Sequence, residues 1–211
     1  GVIAIVVLKE KFVFCPPEGR GIVLASASPR RKDLLKQIGI NNFKIEPADI
    51  DERELSKELP NKYVLRIAKQ KAEVVSNNNQ QCFVIAADTI VTCGRRILHK
   101  AETRSDASNC LNLLSGRRHK VLSAVVINSP NGNQIYRTVT SVVTFKKLDK
   151  EELNIYLGTD EWEGKAGGYA IQGLAATYIR ALNGSYSNVV GLPLHETYQL
   201  LKGMGFSQKI I

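Results

Sequence analysis

The sequence predicts an α/β protein in which helices cover the faces of a mixed sheet. Three observations carry this expectation. Early in the chain, short apolar runs rich in β-formers alternate with helical stretches, the pattern of strands joined by crossovers. Later, residues 121–127 and 138–145 are two β-rich runs around the turn signal Pro130-Asn131-Gly132, which adds an antiparallel hairpin. The helical stretches each carry one apolar face, as helices packed on a sheet require.

The first strand covers residues 22–25 and runs into small hydroxyl residues. A helix then begins at Pro29, whose missing N–H would be unpaired at the first helical position. Ser26 and Ser28 are its N-cap candidates. Leu34, Leu35 and Ile38 give this helix its apolar face, and Gly39 stops it. Residues 43–46 form a short strand, followed by a loop made acidic by Asp49, Asp51, Glu52 and Glu54. Pro60 opens a second helix that runs to about Ser76. Residues 84–92 are a continuous apolar strand broken only by Asp88. Ala107, Cys110, Leu111 and Leu114 fall at helical spacing before Gly116. Asp149 and Glu152 have capping-box spacing ahead of Leu153, Tyr156 and Leu157. Residues 158–173 form a long glycine-rich stretch, residues 175–182 a strand closed by Asn183-Gly184, and residues 193–202 a last amphipathic helix with Leu194, Thr197, Tyr198 and Leu201 on one face.

A chain of 211 residues with 44% hydrophobic and 23% charged residues has the composition of a soluble globular protein with ample core. Residues 1–20 are expected to be an N-terminal appendage to a domain over 21–211, either an extra edge strand or an artefact of the start site. Within it residues 2–8 are apolar but far too short to span a bilayer, without the flanks of a signal peptide, and Cys15-Pro16-Pro17-Glu18-Gly19 reads as a linker. The net charge of +9 favours anionic partners. The basic residues form no long block and are not interleaved with aromatics, so a phosphate pocket fits better than a polynucleotide groove. Four cysteines without CxxC spacing fit reduced thiols of a cytoplasmic protein. The three histidines, His99, His119 and His195, lack metal-ligand spacing, and neither His119 nor Ser123 lies in a nucleophile motif.

Three features point to chemistry. In Ser26-Ala27-Ser28-Pro29-Arg30-Arg31 a helix start offers free N–H groups to an anion, while two arginines oppose the helix dipole there and need a partner; phosphate supplies one, a solvated basic turn being the alternative. A carboxylate at Asp88, inside a buried strand, must be paired, hydrated, metal-bound or set at a cleft. Lys71 stands in the apolar stripe of the second helix, at i+7 from Val64 and i−4 from Val75. It either snorkels to the surface or enters a pocket, and a methionine in its place would complete the stripe. Lys165 in Gly164-Lys165-Ala166-Gly167-Gly168 and Lys100 after His99 are weaker phosphate candidates.

Together these segments resemble the Maf family of nucleotide pyrophosphatases. The matching pieces are Leu24 through Arg31, Ala87-Asp88-Thr89, Leu114-Ser115-Gly116-Arg117, Lys165 through Gly173, and Gly184-Ser185-Tyr186 with Val190-Gly191-Leu192-Pro193. The resemblance implies a two-lobed fold like that of inosine-triphosphate pyrophosphatases, with a mixed sheet, helices on its faces and a central cleft. It implies hydrolysis of a nucleoside triphosphate to the monophosphate and pyrophosphate with Mg²⁺ or Mn²⁺, in the removal of non-standard nucleotides. Arg30, Thr89 and Gln172 match the branch acting on dTTP and UTP; the 7-methyl-GTP branch has tryptophan at the position of Arg30 and glutamine at that of Thr89. Carried over by position, Asp88 is the general base, Glu52 and Asp88 meet the metal, Arg30, Thr89 and Gln172 select the substrate, and Ser26, Arg31, Lys71, Lys100 and Lys165 hold phosphates. Two residues depart from the family pattern: Gly164 replaces an aspartate and Ala101 a proline. The family also implies a homodimer in the cytoplasm, with no membrane or nucleic-acid partner. The alternatives are a regulator of septation that binds nucleotide or nucleic acid, and an inosine-triphosphate pyrophosphatase.

Overall fold

The computed structural model describes residues 11–211, and the apolar run 2–8 lies outside the described residues. Strand β1 (Phe12–Cys15) precedes β2 (Gly21–Leu24), helix α1 (Pro29–Gln37), β3 (Lys44–Ile45), α2 (Pro60–Asn78), β4 (Cys82–Cys93) and β5 (Arg96–Leu98). Then come α3 (Arg104–Leu114), β6 (Arg118–Asn128), β7 (Gln134–Phe145), α4 (Lys150–Gly158), β8 (Ile179–Asn183), α5 (Tyr186–Val190), α6 (Leu194–Gly203) and β9 (Ser207–Ile210). The main sheet has the order β3-β2-β4-β6-β7-β8, with β5 attached to β4. It is mixed, as expected: β2 runs parallel to β3 and β4, while β4, β6, β7 and β8 are antiparallel.

Both faces of the sheet are covered, which is why β4 reads as an almost unbroken apolar run. Alternate residues of a strand face opposite sides. Val84, Ala86 and Ile90 pack against Tyr63, Val64, Ile67, Ala68, Ala72 and Val75 of α2. Phe83, Ile85, Ala87 and Val91 pack on the other side with Leu34 and Leu35 of α1, Leu111 and Leu114 of α3, Tyr156 of α4 and Leu201 of α6. The helix starts follow the sequence: Ser28 caps α1, and Thr103–Asp106 and Asp149–Glu152 form capping boxes on α3 and α4.

The edge of β4 positions the cleft. On one side β6 pairs with it from Val84 to Thr92. On the other, β2 pairs only as far as Ile85 and β5 begins only at Val91. β2 stops there because the chain turns at Ser26 into α1. Residues 86–90 are thus left open on that edge, at the carboxyl end of β2, where ligands of open α/β sheets bind.

Several local expectations change. The segment 15–19 is not a free linker: β1 pairs with β9 as an extra strand, Pro17–Gly19 is a 3₁₀ turn, and Phe14 is buried with its ring 5.1 Å from Tyr198 and 5.4 Å from Phe206. The strand expected over 175–182 begins as a 3₁₀ turn, Leu174–Tyr178, and becomes β8 only at Ile179. No helix of the described residues is long and apolar enough to cross a membrane.

Candidate active site

A cleft of about 440 Å³ opens at the gap in the sheet edge. Every residue singled out from the sequence lines it: Ser26, Arg30, Arg31, Glu52, Lys71, Asp88, Thr89, Lys100, Lys165 and Gln172. Strand alternation explains how Asp88 and Thr89, neighbours in sequence, do different things. Asp88 projects to the α2 side and meets Lys71, whose Nζ lies 3.2 Å from Asp88 Oδ1 and 2.7 Å from Glu52 Oε1. Asp88 and Lys71 are both buried. The lysine therefore enters the pocket and does not snorkel. Because it neutralises a buried carboxylate, the idea that methionine would simply complete the apolar stripe is corrected: that change strands Asp88.

Thr89 projects to the opposite side, into a hydrogen-bonded knot. Its hydroxyl accepts from Arg31 Nη2 at 3.1 Å, donates to the Gly191 carbonyl at 3.2 Å and lies 2.7 Å from Ser123 Oγ. These bonds use the full capacity of a hydroxyl. Thr89 thus acts on a substrate through Arg31 or through its methyl group. Arg31 also donates from Nε to the Gly191 carbonyl at 2.8 Å and from Nη1 to Ser26 Oγ at 3.1 Å. Ser26 is thereby turned toward the arginine, while Ser28 accepts the Arg31 backbone N–H as the helix cap. A guanidinium has five N–H donors, so this fixed Arg31 keeps donors for a ligand. Arg30 Nε reaches the Val190 carbonyl at 3.3 Å.

The acidic loop is held over this floor by Tyr63 of α2, whose hydroxyl donates to the Glu52 carbonyl at 2.7 Å. Burial, with the charge of Asp88, pushes the Tyr63 hydroxyl up to about 12, so it keeps its proton. Burial also pushes the Glu52 carboxyl up, but the hydrogen bond and charge of Lys71, helped by Lys100 and Arg31, outweigh it and hold Glu52 below its ordinary value. Burial lowers the Arg30 guanidinium. Burial lowers Arg31 as well; Asp88 opposes this and Arg30 adds to it. Lys165 is lowered by burial and then by the Arg30 charge facing it. The cations of the cleft repel one another, a cost that a bound polyanion relieves.

The far side of the cleft is made of loops. Lys100 and Ala166 form an isolated antiparallel bridge. Residues 101 and 164, where the chain departs from the expected pattern, meet here: Gly164 N–H donates to the Ala101 carbonyl at 2.8 Å, and Ala101 N–H donates to the Lys165 carbonyl at 3.1 Å. A proline at 101 would lose the second bond. Gly164 has φ +65°, a region open to glycine and tolerated by aspartate better than by most residues. The two departures thus sit in one loop–loop contact that keeps Lys100 and Lys165 together. Gln172 is exposed at the end of this wall, and its amide has no side-chain partner among the described residues.

Sequence reasoning missed the carbonyls of Val190 and Gly191, which aim both arginines, and the buried hydroxyl of Ser123 behind Thr89. A hydroxyl inside the apolar run 121–127 was the available signal for Ser123. The carbonyls had none, since any residue supplies one.

A sheet-edge cleft with a lysine-bridged carboxylate pair at its floor and opposed cations on its walls defines an α/β protein that handles a polyphosphate. The chain belongs to the Maf-like protein family, which it matches over residues 21–204. It is 55% identical over 186 residues to the dTTP/UTP pyrophosphatase of Paramagnetospirillum magneticum, covering 88% of this chain and 98% of that one. It is 52% identical over 188 residues to the dTTP/UTP pyrophosphatase of Caulobacter vibrioides, covering 89% and 97%. Among solved structures it resembles the Ham1 protein of Staphylococcus aureus, with a TM-score of 0.40 and 16% identity over 60% of this chain and 72% of that one. A nucleoside-triphosphatase, or dITP/XTP pyrophosphatase, of Mycobacterium abscessus gives a TM-score of 0.39 at 14% identity over 59% and 72%.

Proposed function

We propose that this chain hydrolyses dTTP and UTP to the nucleoside monophosphate and pyrophosphate. The observation that carries the reading is the lysine-bridged pair Asp88–Lys71–Glu52, set in the open edge of β4 between Arg31 on one side and Lys100 and Lys165 on the other. Names of relatives about half identical over nearly their whole length support the same substrates.

In this reading Arg31, Lys100 and Lys165 hold the triphosphate across the cleft and stabilise the charge that builds on pyrophosphate as it leaves. Asp88 Oδ1 is engaged by Lys71, while Oδ2 has no hydrogen bond among the described residues and takes the proton of the attacking water. Lys71 keeps the Asp88 carboxylate in place. Gln172 reads the carbonyl and N–H of a thymine or uracil ring with its paired acceptor and donor.

Mg²⁺ or Mn²⁺ fits the donor chemistry. Glu52 and Asp88 supply carboxylate oxygens, the donor type a hard cation takes; one oxygen of each is engaged by Lys71, and the other would be the one offered to an ion. Among the described residues no three His, Cys, Asp or Glu side chains gather as a cage, so substrate phosphates and water would complete the shell. Such an ion, when bound, supplies neutralisation of the triphosphate charge. A cytoplasmic homodimer is the assembly proposed with this activity.

Comparing kcat/KM for dTTP, UTP, CTP, ITP and 7-methyl-GTP, with Mg²⁺, Mn²⁺ or chelator, tests the reading. Pyrophosphate release from dTTP and UTP well above the others is expected. A preference for ITP or 7-methyl-GTP overturns the substrate assignment, and full turnover under chelator overturns the metal.

A further inference from the structure

The segment that carries Gln172 is tied down at its two ends by His119 and Glu161, which do not themselves line the cleft. At its start, Tyr169 reaches inward and its hydroxyl lies 2.6 Å from His119 Nε2 on β6. Both residues are buried, and Phe145 packs edge-on against the two rings at 5.2 and 4.9 Å. At its end, Glu161 Oε2 accepts the Leu174 backbone N–H at 2.8 Å. The same carboxylate occupies the place of a side chain at residue 173: a Cβ there would stand 2.1 Å from Glu161 Oε2, so a larger residue would push this carboxylate off its bond to Leu174. Between the ties, Gly173 N–H donates to the Ala170 carbonyl at 3.1 Å, closing a turn, and Ile171 is buried in the core. What remains exposed on this turn toward the cleft is Gln172.

The choice of polar groups for these ties is informative. His119 Nδ1 is buried without a partner among the described residues, a cost that a phenylalanine at 119 would avoid. What the histidine provides in return is the bond to Tyr169. The carboxylate of Glu161 takes the space beside Gly173 and fixes the backbone two residues beyond Gln172.

We propose that His119 and Glu161 are positioning residues for nucleotide selectivity, acting through Tyr169 and Leu174 to hold the turn on which Gln172 meets the base. This rests on the reading of Gln172 given above. A side-chain amide discriminates only if its donor and acceptor are held in register with the base edge; a turn freed at either end lets the amide follow the wrong base as readily as the right one.

The test is the ratio of kcat/KM for dTTP over CTP, with KM and kcat resolved, in the full chain and in Gln172→Ala, Tyr169→Phe, His119→Phe, His119→Asn, Glu161→Ala and Glu161→Gln. Removing either tie is expected to lower the ratio by about three- to tenfold, the worth of one buried hydrogen bond, with the dTTP KM rising more than kcat falls. Tyr169→Phe combined with His119→Phe loses no more than either alone, because both remove one bond. His119→Asn and Glu161→Gln, which keep a hydrogen-bonding group, recover selectivity. Tyr169→Phe removes a single oxygen and keeps the test open should a His119 variant fail to fold. If Gln172→Ala collapses the ratio while Tyr169→Phe and Glu161→Ala leave it untouched, the positioning role is overturned alone. If Gln172→Ala also leaves it untouched, the base-reading role falls and takes this inference with it.

Discussion

On one wall of the cleft Arg31, Ser26, Thr89, Ser123 and the Gly191 carbonyl are joined by hydrogen bonds, and Lys71 bridges Asp88 and Glu52. On the facing wall Lys100 and Gln172 project from loops without a side-chain hydrogen bond among the described residues, where Lys165 Nζ donates only to the Glu163 carbonyl at 3.1 Å. The first wall grows out of β4, α1 and α2, whose backbones are fixed by the sheet and core. The second is carried by the β5–α3 connection and the glycine-rich stretch after α4. A wired wall presents charge already oriented where charge develops, which is the arrangement that accelerates a reaction. A wall of uncommitted groups acquires its contacts only when a ligand arrives, which is the arrangement that discriminates between ligands. Substitutions on the first wall therefore lower turnover, and stability with it where they strand a buried charge; on the second, loss of Lys100 or Lys165 lowers turnover without unfolding the chain, and loss of Gln172 changes selectivity.

The largest effect is expected at Asp88. Asp88→Asn keeps shape and size and leaves Lys71 paired with Glu52, so the fold persists while turnover falls roughly 10²–10⁴-fold, as for loss of a general base. Steady-state kinetics with saturating dTTP and Mg²⁺ measure this, and near-normal kcat would remove Asp88 from the chemistry. Lys71→Met comes next. Losing an oriented cation costs about 2–4 kcal/mol of transition-state stabilisation. Urea unfolding should also show a loss of about 1–3 kcal/mol, because the buried Asp88 carboxylate loses its cation. The double variant Lys71→Met/Asp88→Asn should regain that stability but not the activity. If Lys71→Met proves as stable as the parent, the first wall is less tightly wired than its distances imply.

The support of the second wall reads out through pH. Burial depresses His119 from 6.5 to about 4, so the folded protein holds the neutral ring. Above pH 6.5 neither state binds this proton and nothing is lost. As pH falls through 6.5 the unfolded chain takes up a proton that the folded chain refuses, and stability drops until about pH 4, by roughly 3 kcal/mol in all. Carboxylates contribute to acid unfolding in every variant, so the difference between the parent and His119→Phe isolates this term. Parallel stability–pH curves would mean that the His119–Tyr169 tie does not depend on a neutral ring.

Much of the first wall was legible in the sequence, since each of its key residues breaks a pattern. Asp88 interrupts an apolar strand, Lys71 interrupts an apolar helix stripe, and two arginines stand at the wrong end of a helix dipole. Such violations cost free energy, and a cost is visible in a single sequence. The second wall breaks no pattern, because a lysine or glutamine on a glycine-rich loop looks like any solvated surface. Lys100 and Lys165 gave only weak signals by themselves, and Gln172 was singled out by the resemblance alone. The gap in the β4 edge depends on where β2 stops and β5 begins, a matter of long-range pairing that local spacing does not encode, and β5, α5 and β9 were not anticipated for the same reason. His119 and Ser123, considered for a nucleophile, instead brace Tyr169 and Thr89, roles set by strand register.

Gln172→Ala is expected to have the smallest effect and the sharpest meaning. The side chain is exposed and makes no hydrogen bond among the described residues, so its removal should leave the unfolding midpoint where it was. The parent should prefer dTTP and UTP over CTP by roughly ten- to a hundredfold, the about 1–3 kcal/mol lost when an amide faces the wrong base edge. In cytosine an amino group and a bare ring nitrogen replace the carbonyl and N–H, so donor meets donor and acceptor meets acceptor. Alanine removes the clash along with the match. The loss should therefore fall on dTTP and UTP, with CTP turnover unchanged or improved and kcat for dTTP little affected. A uniform loss on all nucleotides would make Gln172 part of the phosphate machinery beside Lys100 and Lys165, and base selection would have to come from elsewhere in the cleft.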